Sequence, residues 1–124
     1  MPRLEDVLAE LAALPHARAA ALAGFDGLLV DEAFLLSDAE SVPALDGAVV
    51  ELTHAWNGVR RACADYLDGG GARELIVVAD GGVLLMHVVA NAWFALLWAD
   101  REVDLERGRA ALSVAAARLA AVVA

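Results

Sequence analysis

The sequence predicts an α+β sandwich: a five-stranded antiparallel sheet with helices on both faces, in the order helix, two strands, helix, three strands, helix. Three observations predict it. Apolar residues recur at helical spacing in three separated segments. Between those segments lie nearly continuous apolar runs bounded by Gly and Asp, the mark of strands covered on both faces. An Asp-Gly pair divides the first two runs at hairpin distance, which makes neighbouring strands antiparallel.

The first helix is read over Arg3 to Leu14. Leu4, Val7, Leu8, Leu11 and Leu14 form its inner stripe, Glu5, Asp6 and Glu10 face outward, and Pro15 stops it. Ala17–Ala23 and Leu28–Asp31 then flank Gly24-Phe25-Asp26-Gly27 as a hairpin. Alanine is a poor strand former, so the first arm is assigned from its place in the hairpin.

Ser37 to Ser41 is a polar entry segment, and Pro43 suits the first turn of a helix. From there Leu45, Val49, Leu52, Trp56, Val59, Cys63 and Tyr66 step by fours and threes, which predicts one long helix ending at Gly69-Gly70-Gly71. Glu74–Ala79 turns at Asp80-Gly81-Gly82 into Val83–Val89, and Ala90-Asn91-Ala92 leads into Trp93–Ala99. Asp104 is an N-cap, and Leu105, Leu112, Ala116, Leu119 and Val123 trace the inner stripe of the last helix. No linker, repeat or low-complexity tract interrupts residues 1–124, which are read as a single domain.

Composition narrows the function. The hydrophobic share of 60% exceeds the roughly 45–50% of ordinary soluble domains. A domain of this size hides only about two-thirds of the surface of its unfolded chain. Part of the apolar excess is therefore expected at a contact with another chain. Eighteen acids against nine bases give a net charge of -9, a field that repels nucleic acid and anionic membrane surfaces. All nine bases are Arg, which removes Schiff-base chemistry and the phosphate-binding Lys of a P-loop. One cysteine, Cys63, and an acidic N-terminal stretch fit a cytoplasmic protein. The apolar run Val83–Ala99 is shorter than a membrane span and carries His87 and Asn91 near its middle.

No catalytic, cofactor or metal site is expected. His16, His54 and His87 fall in a turn, a helix and a strand without ligand spacing, and Cys63 sits on a buried stripe. The glycine triplet follows a helix and lacks Lys, so it is read as a helix stop. The acids at Asp100, Glu102, Asp104 and Glu106 complement a helix start.

Two surfaces remain. The outward face of the second helix carries Gly47, Val50, Glu51, His54, Gly58, Arg61 and Asp65, and two mid-helix glycines are tolerated where something packs closely. The third strand offers Leu75, Ile76, Val77 and Val78 in a row, with no Pro or Lys to guard an edge. Such an edge is expected to pair with its twin in a homodimer.

The segments Leu14-Pro15-His16-Ala17-Arg18-Ala19-Ala20-Ala21 and Gly24-Phe25-Asp26-Gly27-Leu28-Leu29-Val30 resemble the opening of bacterial Roadblock domains. So do Gly69-Gly70-Gly71-Ala72-Arg73-Glu74 through Leu84-Leu85, and Trp93-Phe94-Ala95-Leu96-Leu97 through Asp104-Leu105. That family includes dynein light chains, Ragulator-type scaffolds and MglB-like proteins that bind Ras-like GTPases. The resemblance implies helix 2 on one sheet face, the first and last helices on the other, and homodimers whose third strands pair edge to edge. It further implies a small GTPase as partner, stimulated in its GTP hydrolysis without an inserted arginine finger. On that basis Val50, His54, Asn57, Arg60 and Arg61 on helix 2 are the expected partner-binding residues. The alternative is a passive dimeric scaffold that leaves hydrolysis unchanged.

Overall fold

A computed structural model of the chain describes residues 3–34 and 44–123. The predicted entry segment Ser37 to Ser41 and Pro43 lie outside the described residues. Helix α1 (Leu4–Ala12) buries Val7, Leu8, Leu11 and Ala12 and keeps Glu5 and Asp6 in its first turn, where acids complement the helix dipole. Strands β1 (Ala17–Gly24) and β2 (Leu29–Phe34) form the predicted antiparallel hairpin, with Gly27 at φ 89 in its turn. The second arm starts one residue later than expected and runs further, because Leu28 belongs to the turn and is exposed.

β1 is fully buried apart from Arg18 despite its alanines. Small side chains let helices approach both faces, so tertiary burial overrides weak strand propensity. A bulge between Ala17 and Ala19 shifts the alternation, and puts Ala17, Ala20 and Leu22 on one face with Ala19, Ala21 and Ala23 on the other.

Helix α2 (Leu45–Arg61) continues into a π-turn at Ala62–Tyr66. Strands β3 (Glu74–Ala79), β4 (Gly82–Val89) and β5 (Trp93–Ala99) complete one sheet in the order β2-β1-β5-β4-β3, every pair antiparallel. Gly82 opens β4 because the Trp98 ring would lie 2.5 Å from any Cβ there. Helix α3 (Leu105–Val123) begins at Asp104, whose carboxylate accepts the Arg107 N–H at 3.2 Å.

The order α-β-β-α-β-β-β-α and the five-stranded antiparallel sheet agree with the sequence reading. Two cores sandwich the sheet. One joins α1 and α3 to Leu22, Leu85, Val89 and Leu97. The other joins α2, through Leu45, Val49 and Trp56, to Leu84, Met86, Phe94 and Leu96. Trp56 is fully buried between Phe25 and Phe94, with ring centroids 5.2 Å from each. Truncating such a side chain costs about 3–5 kcal/mol.

Five stripe positions depart from expectation. Val59 and Tyr66 are exposed and Cys63 is only partly buried, because α2 outruns the sheet and the π-turn rotates the last residues out of phase. Thr53, outside the predicted stripe, is buried in place of Leu52, which is half-buried. On α3, Leu105 is exposed and Gly108 takes the inner position, with its hydrogen facing the side chains of Leu85 and Leu97. No helix among the described residues is long and apolar enough to cross a membrane.

Candidate functional site: the outer face of helix 2 and the open edge of the sheet

β3 lies at one end of the strand order and pairs only with β4, so one of its sides is an open edge among the described residues. The Val88 N–H donates to the Arg73 carbonyl at 2.9 Å, and this sets the phase of the ladder. Leu75 and Val77 fall at the hydrogen-bonded positions opposite Met86 and Leu84. The amides of Glu74, Ile76 and Val78 therefore point to the open side. Side chains alternate as well: Leu75 joins the α2 core, and Ile76 the α1–α3 core. Val77 is 41% exposed and Val78 60%.

The α2 face of the sheet is unevenly covered. A cleft of about 400 Å³ runs between α2 and strands β4 and β5, lined by Leu45, Ala48, Leu52, Leu84, Leu96 and Trp98, with Glu51 at its rim. Val77 stands on this same face, opposite Leu84. One helix thus leaves an apolar strip open from the cleft toward the edge.

The predicted partner-binding residues sit along α2 in different settings. Val50 is 56% exposed, His54 and Arg61 are exposed, and Asn57 and Arg60 are half-buried. A Cβ at Gly47 or Gly58 would meet nothing within 4 Å, so no contact described within the chain requires glycine at either position. At the far end of the helix, Asn57, Arg60, Arg61, Ala64, Asp65 and Gly71 line a second cleft of about 480 Å³. The Arg60 guanidinium lies over the Phe25 ring, 4.1 Å from its centroid. Phe25 is held in turn by Phe94, at 5.1 Å between centroids, and by its own N–H donating to the Ala92 carbonyl at 3.0 Å. Phe25 did not figure among the sequence candidates. Its run of Gly-Phe-Asp-Gly marks a turn, and only the pairing of β1 with β5 brings that turn to α2.

The Thr53 hydroxyl and the Trp56 indole N–H are buried without a hydrogen-bond partner among the described residues. At the opposite end of β1, His16, Asp100 and Glu102 bring possible ligand atoms within 4.8 Å of one another. Arg18 already holds Asp100 Oδ1, and both His16 and Glu102 are exposed. Strand pairing assembles this group, with the Asp100 N–H donating to the His16 carbonyl, so linear spacing does not reveal it. His54 and His87 lie on α2 and β4, away from it in the fold.

Three helices and an open five-stranded antiparallel sheet with this connectivity define the class: an α+β domain with helices on both faces of the sheet and β3 at one end of it. Solved structures identify the fold as that of the Roadblock/LC7 domains. The Roadblock/LC7 domain from Streptomyces avermitilis superposes with a TM-score of 0.84 at 21% identity, covering 98% of each chain. The gliding protein MglB from Thermus thermophilus gives 0.85 at 20% identity, over 95% of this chain and 86% of that one. An MglB with a tetrameric arrangement gives 0.86 at 21% identity, over 95% and 85%. No family model matches the chain, and no curated protein matches it at a significant level.

Proposed function

We propose that the protein is a homodimeric, non-catalytic regulator of a small Ras-like GTPase. One observation carries the dimer: the β3 edge, unpaired among the described residues, lies beside an apolar strip in which Val77 is exposed and Leu52 and Trp98 half-buried over the buried Leu84. An unguarded edge beside exposed apolar side chains is stable in solution when another chain covers both. A second copy does so by antiparallel pairing of Leu75–Val78 with its twin, which sets the two α2 helices side by side over the joined sheet. The solved MglB in a tetrameric arrangement supports self-association in this fold.

The outer faces of the paired helices, with Val50, His54, Asn57, Arg60 and Arg61, then form the surface for the GTPase. Regulation at such a surface is differential affinity: a face that binds the GTP-loaded conformation more tightly shifts the partner's switch segments toward it. The protein works beside its GTPase in the cytoplasm and holds no cofactor in this reading.

The test is direct. The protein is captured with each Ras-like GTPase encoded in its genome, loaded with GDP or with a non-hydrolysable GTP analogue, and phosphate release is then followed. Preference for the GTP form with accelerated release supports regulation. Equal binding to both forms with an unchanged rate overturns it in favour of a passive scaffold.

A further inference from the structure

The cleft at the end of α2 brings two cations together, Arg60 and Arg61. Acids outnumber bases two to one; Arg3, Arg18, Arg109 and Arg118 have carboxylate partners, whereas Arg73, Arg101 and Arg107 form no ion pair among the described residues and do not line this cleft. Arg60 and Arg61 form no ion pair among the described residues, although Asp65 lines the same cleft. Arg60 is also the less free of the two. It is half-buried, and the Phe25 ring beneath it is fixed by Trp56 and Phe94. A guanidinium stacked on a ring satisfies its face and keeps its in-plane N–H donors, the group that matches a carboxylate in a two-point contact. Holding it in place in advance removes much of the ordering cost that a long side chain otherwise sets against binding. Ala64 and Asp65 of the π-turn, with Asn57 and Gly71, complete the wall.

We propose that this cleft is a carboxylate-binding site and that, resting on the function proposed above, its occupant is an acidic side chain on the surface of the bound GTPase. Arg60 is the anchor, Arg61 the second donor group, and Phe25 a positioning residue that acts through Arg60. Charge complementarity favours this occupant: the cleft is lined by two cations and one anion, on a chain whose net charge of -9 otherwise repels acidic partners.

Two measurements test it. In the first, affinity for the GTP-loaded GTPase is compared among wild type, Arg60→Ala, Phe25→Leu and Phe25→Tyr, with thermal melts to confirm that each variant folds. Arg60→Ala weakens binding about tenfold. Phe25→Leu weakens it about threefold, and Phe25→Tyr, which keeps the aromatic face, restores it. If wild type binds and Arg60→Ala binds equally well, the cleft proposal falls and the regulatory function stands.

The second measurement needs no GTPase. Succinate is titrated into the isotope-labelled protein while the Arg60 and Arg61 side-chain N–H resonances are followed. Saturable shifts that weaken in Phe25→Leu and persist in Phe25→Tyr are expected. Their absence in wild type overturns the site. If no GTPase binds wild type but succinate saturates the cleft, the regulatory function falls and the carboxylate site stands.

Discussion

Arg109 donates two hydrogen bonds to the Glu74 carboxylate, at 3.1 and 3.4 Å, and so ties the first residue of the open strand β3 to helix α3. The Arg109 hydrogen bond holds the Glu74 carboxyl below its ordinary value of 4.5. Glu10 is lowered in the same way by Arg118, which joins α1 to α3. A carboxyl depressed in the folded state adds stability above its unfolded pKa, and that contribution is lost as pH falls through the folded value. Glu32 runs the other way. Burial first, then Asp46 and Asp31, push it up, so its contribution is present at acid pH and is lost as pH rises through its folded value. Arg109→Gln is therefore expected to melt below wild type at pH 7, and the two curves should converge below pH 4.5. Melting temperature against pH for both proteins checks this, and a gap that persists in acid would remove the pair as its cause. The effect is small, because both side chains are substantially exposed.

The ladder phase at β3 sharpens the test of the dimer. The Val78 N–H points to the open edge, whereas the Val77 N–H lies at a position bonded to Leu84. Proline removes one donor. Val78→Pro is thus expected to abolish pairing between copies and leave a folded monomer, since an edge strand tolerates proline on its outer side. Val77→Pro strikes the pairing of β3 with β4 and is expected to destabilise the protomer itself. Analytical ultracentrifugation with circular dichroism separates the outcomes, and a folded Val78→Pro that still sediments as a dimer would exclude edge pairing.

Most of the fold was legible because strong local signals agreed with tertiary packing. Asp104 caps α3, the Asp-Gly turn closes β1 onto β2, and Leu45, Val49 and Trp56 repeat at helical spacing toward the sheet. The same periodicity continued through Val59, Cys63 and Tyr66 and misled there. Spacing identifies a coherent face but does not say where the sheet beneath it ends. The site was half legible. Composition showed Leu75–Val78 as an apolar strand without Pro or Lys, the family resemblance implied that it forms an edge, and the strand order places β3 at one end of the sheet. The Arg60–Phe25 contact was invisible, because those residues stand 35 positions apart and meet only through sheet pairing and helix packing.

The buried Thr53 hydroxyl predicts a stabilising substitution. Its oxygen has no hydrogen-bond partner among the described residues, and Thr53 is 5% exposed. Burying an unsatisfied hydroxyl costs folding free energy that an apolar group of the same shape does not. Thr53→Val is expected to raise unfolding free energy by about 1 kcal/mol. Urea denaturation measures it, and a loss of stability would mean that the hydroxyl has found a partner.

Gly58 offers a substitution whose two effects have opposite signs. It lies inside α2, where glycine costs roughly 1 kcal/mol relative to alanine. A Cβ there meets nothing within 4 Å, so Gly58→Ala is expected to stabilise the protomer by about that amount. If the helix face is where the twin or the GTPase packs closely, the added methyl instead obstructs that contact. Stability should rise while affinity for the twin or the partner falls. A stability gain with unchanged dimerisation and unchanged GTPase affinity would show that nothing approaches the helix at Gly58.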